Sequence, residues 1–346
     1  GRLNESAAAL AMQQLFRAVF YLHRSFICHR DLKSENLLLS ESGPFGGAGA
    51  NNNCLKVADF GLSCIFKPKQ IFTAMVGTPS HMAPEVRARK YNFACDYWSC
   101  GVIMYYVISG SLPFNMSTPE ASRYKVAFSS TSWAEVSQKA VALVMALLSK
   151  SVRNRIDAPS ALQHDWLKEK APQVPFTPLQ PEIVSQLMNF RSTNRFKRAT
   201  LSVVAAMLSE KQITLSRALF MSLDVSGDGL ISIQEMKDML GDNAASAIFR
   251  DNSNNRLDDQ DFSYLEFIAA TFDRKRCLTK EVCKAAFSAF DKDGSNSISL
   301  AELASGKLLG HLSAQELTQA LAALDKNGDQ EIDFKEFMHM IREDTA

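Results

Sequence analysis

Between residues 224 and 336 an acidic stretch of twelve residues occurs four times, beginning at Asp224, Asn255, Asp291 and Asp325. The intervals of 31, 36 and 34 residues mark an internally duplicated unit. Each stretch ends in a glutamate (Glu235, Glu266, Glu302, Glu336) and carries an apolar eighth residue (Ile231, Phe262, Ile298, Ile332). Apolar pairs at helical spacing, such as Phe220/Leu223 and Phe287/Phe290, precede the first and third stretches. Ser209…Gln212 and Ser313…Glu316 fit the helix capping box.

The charge distribution follows this division. Residues 201–346 hold 15 basic and 24 acidic side chains, a net −9, while residues 1–200 hold 23 and 13, a net +10. Opposite signs suit two modules that attract each other, the acidic one fit for cations. The whole chain is only +1, which speaks against a nucleic-acid partner. With 46% hydrophobic and 22% charged residues the chain is too apolar for disorder. The apolar run Val102 to Ile108 is far too short for a membrane span. Seven cysteines without a CxxC pair read as reduced thiols, hence an expected cytoplasmic location.

Calcium takes six to eight oxygens, and a helix–loop–helix supplies them from loop positions 1, 3, 5, 7, 9 and 12. In loop 224–235 these are Asp224, Ser226, Asp228, Leu230 (main chain), Ser232 and Glu235, with Gly229 at the sharp turn of position 6. This resembles an EF-hand. Loop 291–302 offers Asp291, Asp293, Ser295, Ser297 (main chain), Ser299 and Glu302, with Asn296 at position 6. Loop 325–336 offers Asp325, Asn327, Asp329, Glu331 (main chain), Asp333 and Glu336, with Gln330 at position 6. Asn tolerates the left-handed turn better than most residues, so strain is expected at Gln330. Loop 255–266 ends in Glu266 but offers Asn255, Leu257, Asp259 and Ser263, with Gln260 at position 6. Leu257 brings no side-chain oxygen, so this loop is expected to be degenerate and empty. The apolar eighth residues suit a short strand pairing between loops, so the empty loop should still fold as a partner. Met207, Met221, Met236, Met239, Met338 and Met340 are candidates for the groove that sensor hands expose.

Upstream, Leu10, Leu15, Val19 and Leu22 predict a helix from Glu5 to His23, and Leu37–Leu39 and Leu55–Ala58 predict strands. Residues 42–53 have loop composition, and 94–110 and 134–149 read as helices. Pro172, Pro175, Pro178 and Pro181 mark a linker. After it, Ile183, Val184, Leu187 and Met188, then Arg191, Arg195, Lys197 and Arg198, then Leu201, Val204 and Leu208 predict one basic amphipathic helix. Such a helix docks in a hydrophobic groove.

After the first helix stands His29-Arg30-Asp31-Leu32-Lys33-Ser34-Glu35-Asn36. Asp59-Phe60-Gly61, Ala83-Pro84-Glu85 and Asp96-Tyr97-Trp98-Ser99-Cys100-Gly101 follow in that order. Together these resemble the C-terminal lobe of a serine/threonine protein kinase. The resemblance implies that Asp31 orients the substrate hydroxyl and accepts its proton. Lys33 offsets phosphoryl charge, and Asn36 and Asp59 hold Mg²⁺. Lys33, Glu35, Asn36, Leu38 and Asp59 then face ATP, with Leu38 part of the adenine floor. Glu85 is implied to pair with Arg155, and Asp96 to brace the catalytic loop.

The whole chain resembles a calcium-dependent protein kinase of the plant and protist type. The implied fold is mainly α: a kinase C-terminal lobe over 1–170, a linker and autoinhibitory junction helix over 171–208, and a four-EF-hand calmodulin-like domain over 209–346. The implied cofactors are ATP, Mg²⁺ and Ca²⁺. The implied partners are protein substrates with Ser/Thr acceptors and, within the chain, a contact between the junction helix and the hands. The junction helix would block the substrate region until calcium, at ~10⁻⁷–10⁻⁵ M, favours an open state.

Three departures qualify that expectation. The Gly-rich loop, ATP-anchoring lysine and partner glutamate are absent, and only 200 residues precede the hands. The chain is therefore expected to be a fragment, inactive by itself, and any membrane association would depend on a missing N-terminus. The stretch after Leu39 lengthens the Asp31–Asp59 spacing to 28 residues. Ser80-His81 stands where the family usually has an aromatic pair, with His81 expected to be a surface or packing residue rather than a catalytic one. An inactive calcium-responsive scaffold that keeps the lower lobe remains the alternative, and a plain calcium buffer a third reading.

Overall fold

The computed structural model describes residues 2–40, 54–115, 124–128, 131–171, 179–249, 261–305, 317–318, 321–322 and 324–342. The insert 42–53, linker residues 172–178, second-loop residues 255–260 and the box Ser313…Glu316 lie outside them. The chain divides into two compact units, Gly1–Gln173 with Ser226–Gly229, and Val174–Val225 with Leu230–Ala346. Helices dominate both.

In the first unit, α1 (Glu5–Arg24) starts where the Asn4 side chain accepts the Ala7 amide, satisfying one orphan donor of the first turn. Its stripe Ala8, Met12, Leu15, Phe16 and Val19 is fully buried. It packs on α3 (Cys95–Ser109), which follows the single-turn α2 (Pro84–Arg87), and on α5 (Ala158–Leu162) and α6 (Asp165–Lys170). Helix α3 is buried almost all round and also meets α4 (Gln138–Leu147). Gly101 permits that approach, because a methyl there would stand 2.8 Å from Leu147 Cβ and from Leu148 Cδ2.

Two antiparallel ladders set the loops between them. Strand β1 (Ile27–Cys28) pairs with β4 (Cys64–Ile65), Cys28 opposite Cys64. Strand β2 (Leu37–Leu39) pairs with β3 (Leu55–Val57), Leu37 opposite Val57. The His29–Asn36 segment runs from β1 to β2, and Asp59–Gly61 runs from β3 to β4. Pairing at both ends therefore lays the two segments side by side.

Arg155 braces the lobe from below. Its guanidinium donates to both Glu85 oxygens, to Ala94 O at 2.9 Å and to Ser149 O at 3.2 and 3.0 Å. It also lies 5.2 Å from the Trp98 ring centroid, and its side chain is 0% exposed.

In the second unit the expected single junction helix is two helices, α7 (Pro181–Ser192) and α8 (Arg195–Met207). The break has a local cause: Asn194 is extended and its side chain accepts the Lys197 amide, capping a new helix. Lys197, one of the basic residues of the expected helix, is 5% exposed. Leu187, Phe190, Phe196, Leu201, Val204 and Leu208 lie in one core with Ile231, Phe262, Ile298 and Ile332. Helix α7 packs on α11 (Asp242–Phe249) and α12 (Tyr264–Thr271). Helix α8 packs on α12, α14 (Lys280–Phe290) and α16 (Phe334–Arg342).

The acidic loops pair as their eighth residues require. Strands β5 (Leu230–Ile231) and β6 (Phe262–Ser263) place Ile231 opposite Phe262. Strands β7 (Ser297–Ser299) and β8 (Glu331–Asp333) place Ile298 opposite Ile332. All four side chains are fully buried. Position 6 is left-handed at Gly229 (φ 81°), Asn296 (φ 67°) and Gln330 (φ 67°). Of the six candidate methionines, Met236 and Met340 are core residues. Met221, Met239 and Met338 pack partly buried against that core, and Met207 is 42% exposed.

Two stability changes follow. Arg155→Met leaves the Glu85 carboxylate without its cation and should cost about 3–5 kcal/mol, read as a lower urea midpoint of the tryptophan near-UV signal. Gln330→Gly relieves an exposed left-handed residue and should add about 0.5–1 kcal/mol to the second unit. An unchanged or lower melting temperature would contradict the strain.

Candidate functional site

Asp31 lies at the centre of the first unit's polar cluster, 7% exposed. Its Oδ1 accepts the Thr78 amide at 2.7 Å and the Thr78 hydroxyl at 2.6 Å. Its Oδ2 accepts Lys33 Nζ at 3.1 Å, which also donates to Thr78 Oγ1 at 3.2 Å. Burial alone would raise the carboxyl's pKa. The Thr78 hydroxyl, Lys33 and the Thr78 amide outweigh it and hold Asp31 below the usual range. The group is thus an oriented anion at neutral pH.

The loop is held from beneath. Asp96, fully buried, accepts the amides of His29 and Arg30, each at 2.9 Å. It also accepts His23 Nε2 at 2.9 Å, while His23 Nδ1 lies 3.0 Å from the Tyr97 hydroxyl. Burial works against the Asp96 charge, but His23 and the two amides outweigh it and keep its pKa low. His29 Nε2 donates to Ala58 O at 3.1 Å, tying the catalytic loop to the strand before Asp59. Arg30 Nε donates to Leu62 O at 2.7 Å, just beyond Gly61.

Asn36 Nδ2 donates to Asp31 O at 2.9 Å, so the amide oxygen is the end left to a cation. Asp59 is exposed and left-handed (φ 62°), and its Oδ1 accepts the Gly61 amide at 3.3 Å. An amide oxygen and a carboxylate are the hard donors that Mg²⁺ takes, so this pair fits the ion. Glu35 is exposed, its carboxylate accepting the Ser34 hydroxyl at 2.9 Å. Leu38 is 53% exposed. His81, the replacement for an aromatic, is 5% exposed and interacts with the Ser80 hydroxyl at 3.0 Å. Burial pushes its pKa down. Of the two roles expected of it, surface or packing, it takes the second.

Spacing did not single out Thr78 as the partner of Asp31, although Gly77-Thr78 before Ala83-Pro84-Glu85 was visible. Gly77 is required there: with φ 108°, a Cβ would stand 2.5 Å from Arg30 O.

In the second unit, carboxylate oxygens of Asp291, Asp293 and Glu302 lie within 4.8 Å of one another. Oxygens 2.3–2.6 Å from a shared ion are at most about 5 Å apart, so this donor set fits calcium. Glu302 Oε1 accepts the Lys292 amide at 2.8 Å, and Oε2 accepts the Ser299 amide at 2.8 Å and its hydroxyl at 2.7 Å. Burial opposes the charge, but the Ser299 contacts and the Lys292 and Asp293 amides hold the carboxyl below its ordinary range. The fourth loop repeats the pattern. Asp325 accepts the Gly328 and Gln330 amides at 2.7 and 2.8 Å, and Glu336 accepts those of Lys326 and Asp333 at 2.8 and 3.0 Å. In the first loop the Glu235 carboxylate accepts the Ser232 amide at 2.9 Å and its hydroxyl at 2.8 Å. The second loop keeps the same cap between Ser263 and Glu266, at 3.0 and 2.7 Å.

Known proteins align with both units. The protein kinase domain family model matches residues 1–167. An EF-hand domain pair matches 280–342, and a single EF hand matches 217–240. Calcium-dependent protein kinase 17 of Arabidopsis thaliana is 32% identical over 99% of this chain and 65% of its own length. Calcium-dependent protein kinase 7 of Oryza sativa subsp. japonica is 32% identical over 99% of this chain and 64% of its own length. Calcium-dependent protein kinase 10 of Arabidopsis thaliana is 33% identical over 100% and 64%. The chain spans a little under two thirds of the length of these curated relatives. The first unit thus matches the protein kinase domain family and the second the EF-hand family, and nearly the whole chain aligns with calcium-dependent protein kinases.

Proposed function

We propose that the protein transfers the γ-phosphoryl group of ATP to serine or threonine hydroxyls of protein substrates. Calcium on the EF-hands releases inhibition by the junction segment 171–208. The observation that carries this reading is the Asp31 carboxylate, held ionised and oriented by Thr78 and Lys33.

Asp31 has the charge and fixed orientation to align a substrate hydroxyl and take its proton. Lys33, 3.1 Å from Asp31, brings positive charge to where a transferring phosphoryl group gains negative charge. Asn36 and Asp59 would hold Mg²⁺, which supplies charge neutralisation on the phosphates. Asp96 and His29 act through position: they fix the backbone just before Asp31 and tie it to Ala58.

For regulation, the support is the shared core of α7, α8 and the hands. A change in the hands cannot leave the buried faces of Phe196, Leu201 and Val204 untouched. Calcium shifts the equilibrium only if the released state binds it more tightly. Free cysteines throughout support a cytoplasmic setting.

The test is phosphate transfer to Ser/Thr peptides by the full-length protein that contains this sequence, with calcium and with chelator. Turnover should require calcium, and Asp31→Asn should lower kcat by about 10³-fold while calcium binding persists. Equal turnover in chelator would reject the regulation. No turnover with calcium present would favour a calcium-responsive scaffold.

The hands are separable by titration calorimetry. Glu235→Gln and Glu302→Gln should each weaken calcium binding about tenfold or more, and Glu266→Gln should leave the stoichiometry unchanged. Four sites in the unaltered protein would refute an empty second loop.

A further inference from the structure

Three thiols meet beside the catalytic loop. Cys28 ends β1 and stands directly opposite Cys64 in β4. Its Sγ is 3.8 Å from the Sγ of Cys95, the first residue of α3. All three are free. Directly opposed residues of an antiparallel pair have Cα atoms about 4.5–5.5 Å apart, within the span a disulfide bridges.

The thiols differ in access and acidity. Cys28 is 0% and Cys95 4% exposed, while Cys64 is half-buried and within reach of a small solute. A hydrogen bond from the Cys28 thiol, helped by the nearby Arg30 charge, brings the Cys64 pKa down to about 7 against the cost of burial. The Cys28 thiol is pushed up by its bonds to Cys64 and Cys95 and by burial. Cys95 also interacts with Cys28, which lowers its pKa, yet burial leaves it raised overall. A half-buried, partly ionised thiol beside a buried one is the arrangement of an attacking and a resolving cysteine.

We infer that Cys28 and Cys64 form a modification site at which a peroxide converts two thiols into a reversible disulfide. The Cys64 thiolate attacks one peroxide oxygen. The O–O bond breaks, and the departing hydroxide takes a proton to become water, leaving a sulfenic acid. The Cys28 sulfur then attacks the Cys64 sulfur, the S–O bond breaks, and hydroxide leaves with the Cys28 proton as a second water. The peroxide gains two electrons and the thiol pair loses two. A small dithiol returns the electrons and restores both thiols. The bond ties the strand that ends three residues before Asp31 to the strand that begins five residues after Asp59, in the register they already have.

Exposure of the full chain to hydrogen peroxide, followed by alkylation and non-reducing peptide mass spectrometry, tests the site. The expected product is a linked peptide joining Cys28 to Cys64, lost on treatment with dithiothreitol. Cys64→Ser should abolish it. Cys54→Ser, at the half-buried cysteine of the insert's far end, should leave its yield unchanged. The readout needs no kinase activity. Cys64 recovered as sulfinic or sulfonic acid with Cys28 unlinked, or Cys28 joined to Cys95 instead, would overturn the assignment.

Discussion

Backbone pairing over two or three residues fixes the charged loops of both units. An isolated ladder of this length is marginal in water. Three of those described are nailed down by buried side chains, Cys28 in one unit and Ile231, Phe262, Ile298 and Ile332 in the other, while β2–β3 rests on the half-buried pair Leu37/Val57. The consequence is the same in each place. Two segments rich in carboxylates and donors are laid side by side, with their ends fixed and their middles left to bind. In the first unit those segments carry Asp31 and Asp59. In the second they are neighbouring EF-hand loops.

Holding anions in and beneath such loops requires donors that outweigh desolvation. Asp31, Asp96 and Glu302 each have that balance, and each has a pKa below its ordinary value. A carboxyl depressed in the fold stabilises it above the unfolded pKa and loses that contribution as pH falls through the folded value. Acid therefore loosens the same contacts that orient the catalytic loop and the third hand. Chemistry and stability are linked at these residues, not merely adjacent.

Much of this was legible as spacing. His29 to Asn36, Asp59-Phe60-Gly61 and the twelve-residue loops are contiguous motifs, and motifs of that kind survive without three-dimensional knowledge. The eighth-residue rule even gave the partners Ile231/Phe262 and Ile298/Ile332. Less legible was whatever depended on packing. The helical stripe through 183–208 hid a break, because neither Pro nor Gly interrupts it and only the Asn194 cap marks it. Met236 and Met340 look like groove residues by spacing and are core by burial. Thr78 lies 47 residues from Asp31, and the Cys28/Cys64/Cys95 cluster is assembled by two ladder strands and a helix. Distances of that sort are set by tertiary contacts and leave no local trace.

Amide hydrogen exchange across Phe196–Leu208 in the full chain, with calcium and with chelator, addresses the coupling of hands to junction most directly. Calcium should slow exchange in Asp291–Glu302 and, in the same titration, alter protection along the buried face of α8. Slowed loops with α8 exchanging identically in both conditions would show that the ion is bound without being passed on.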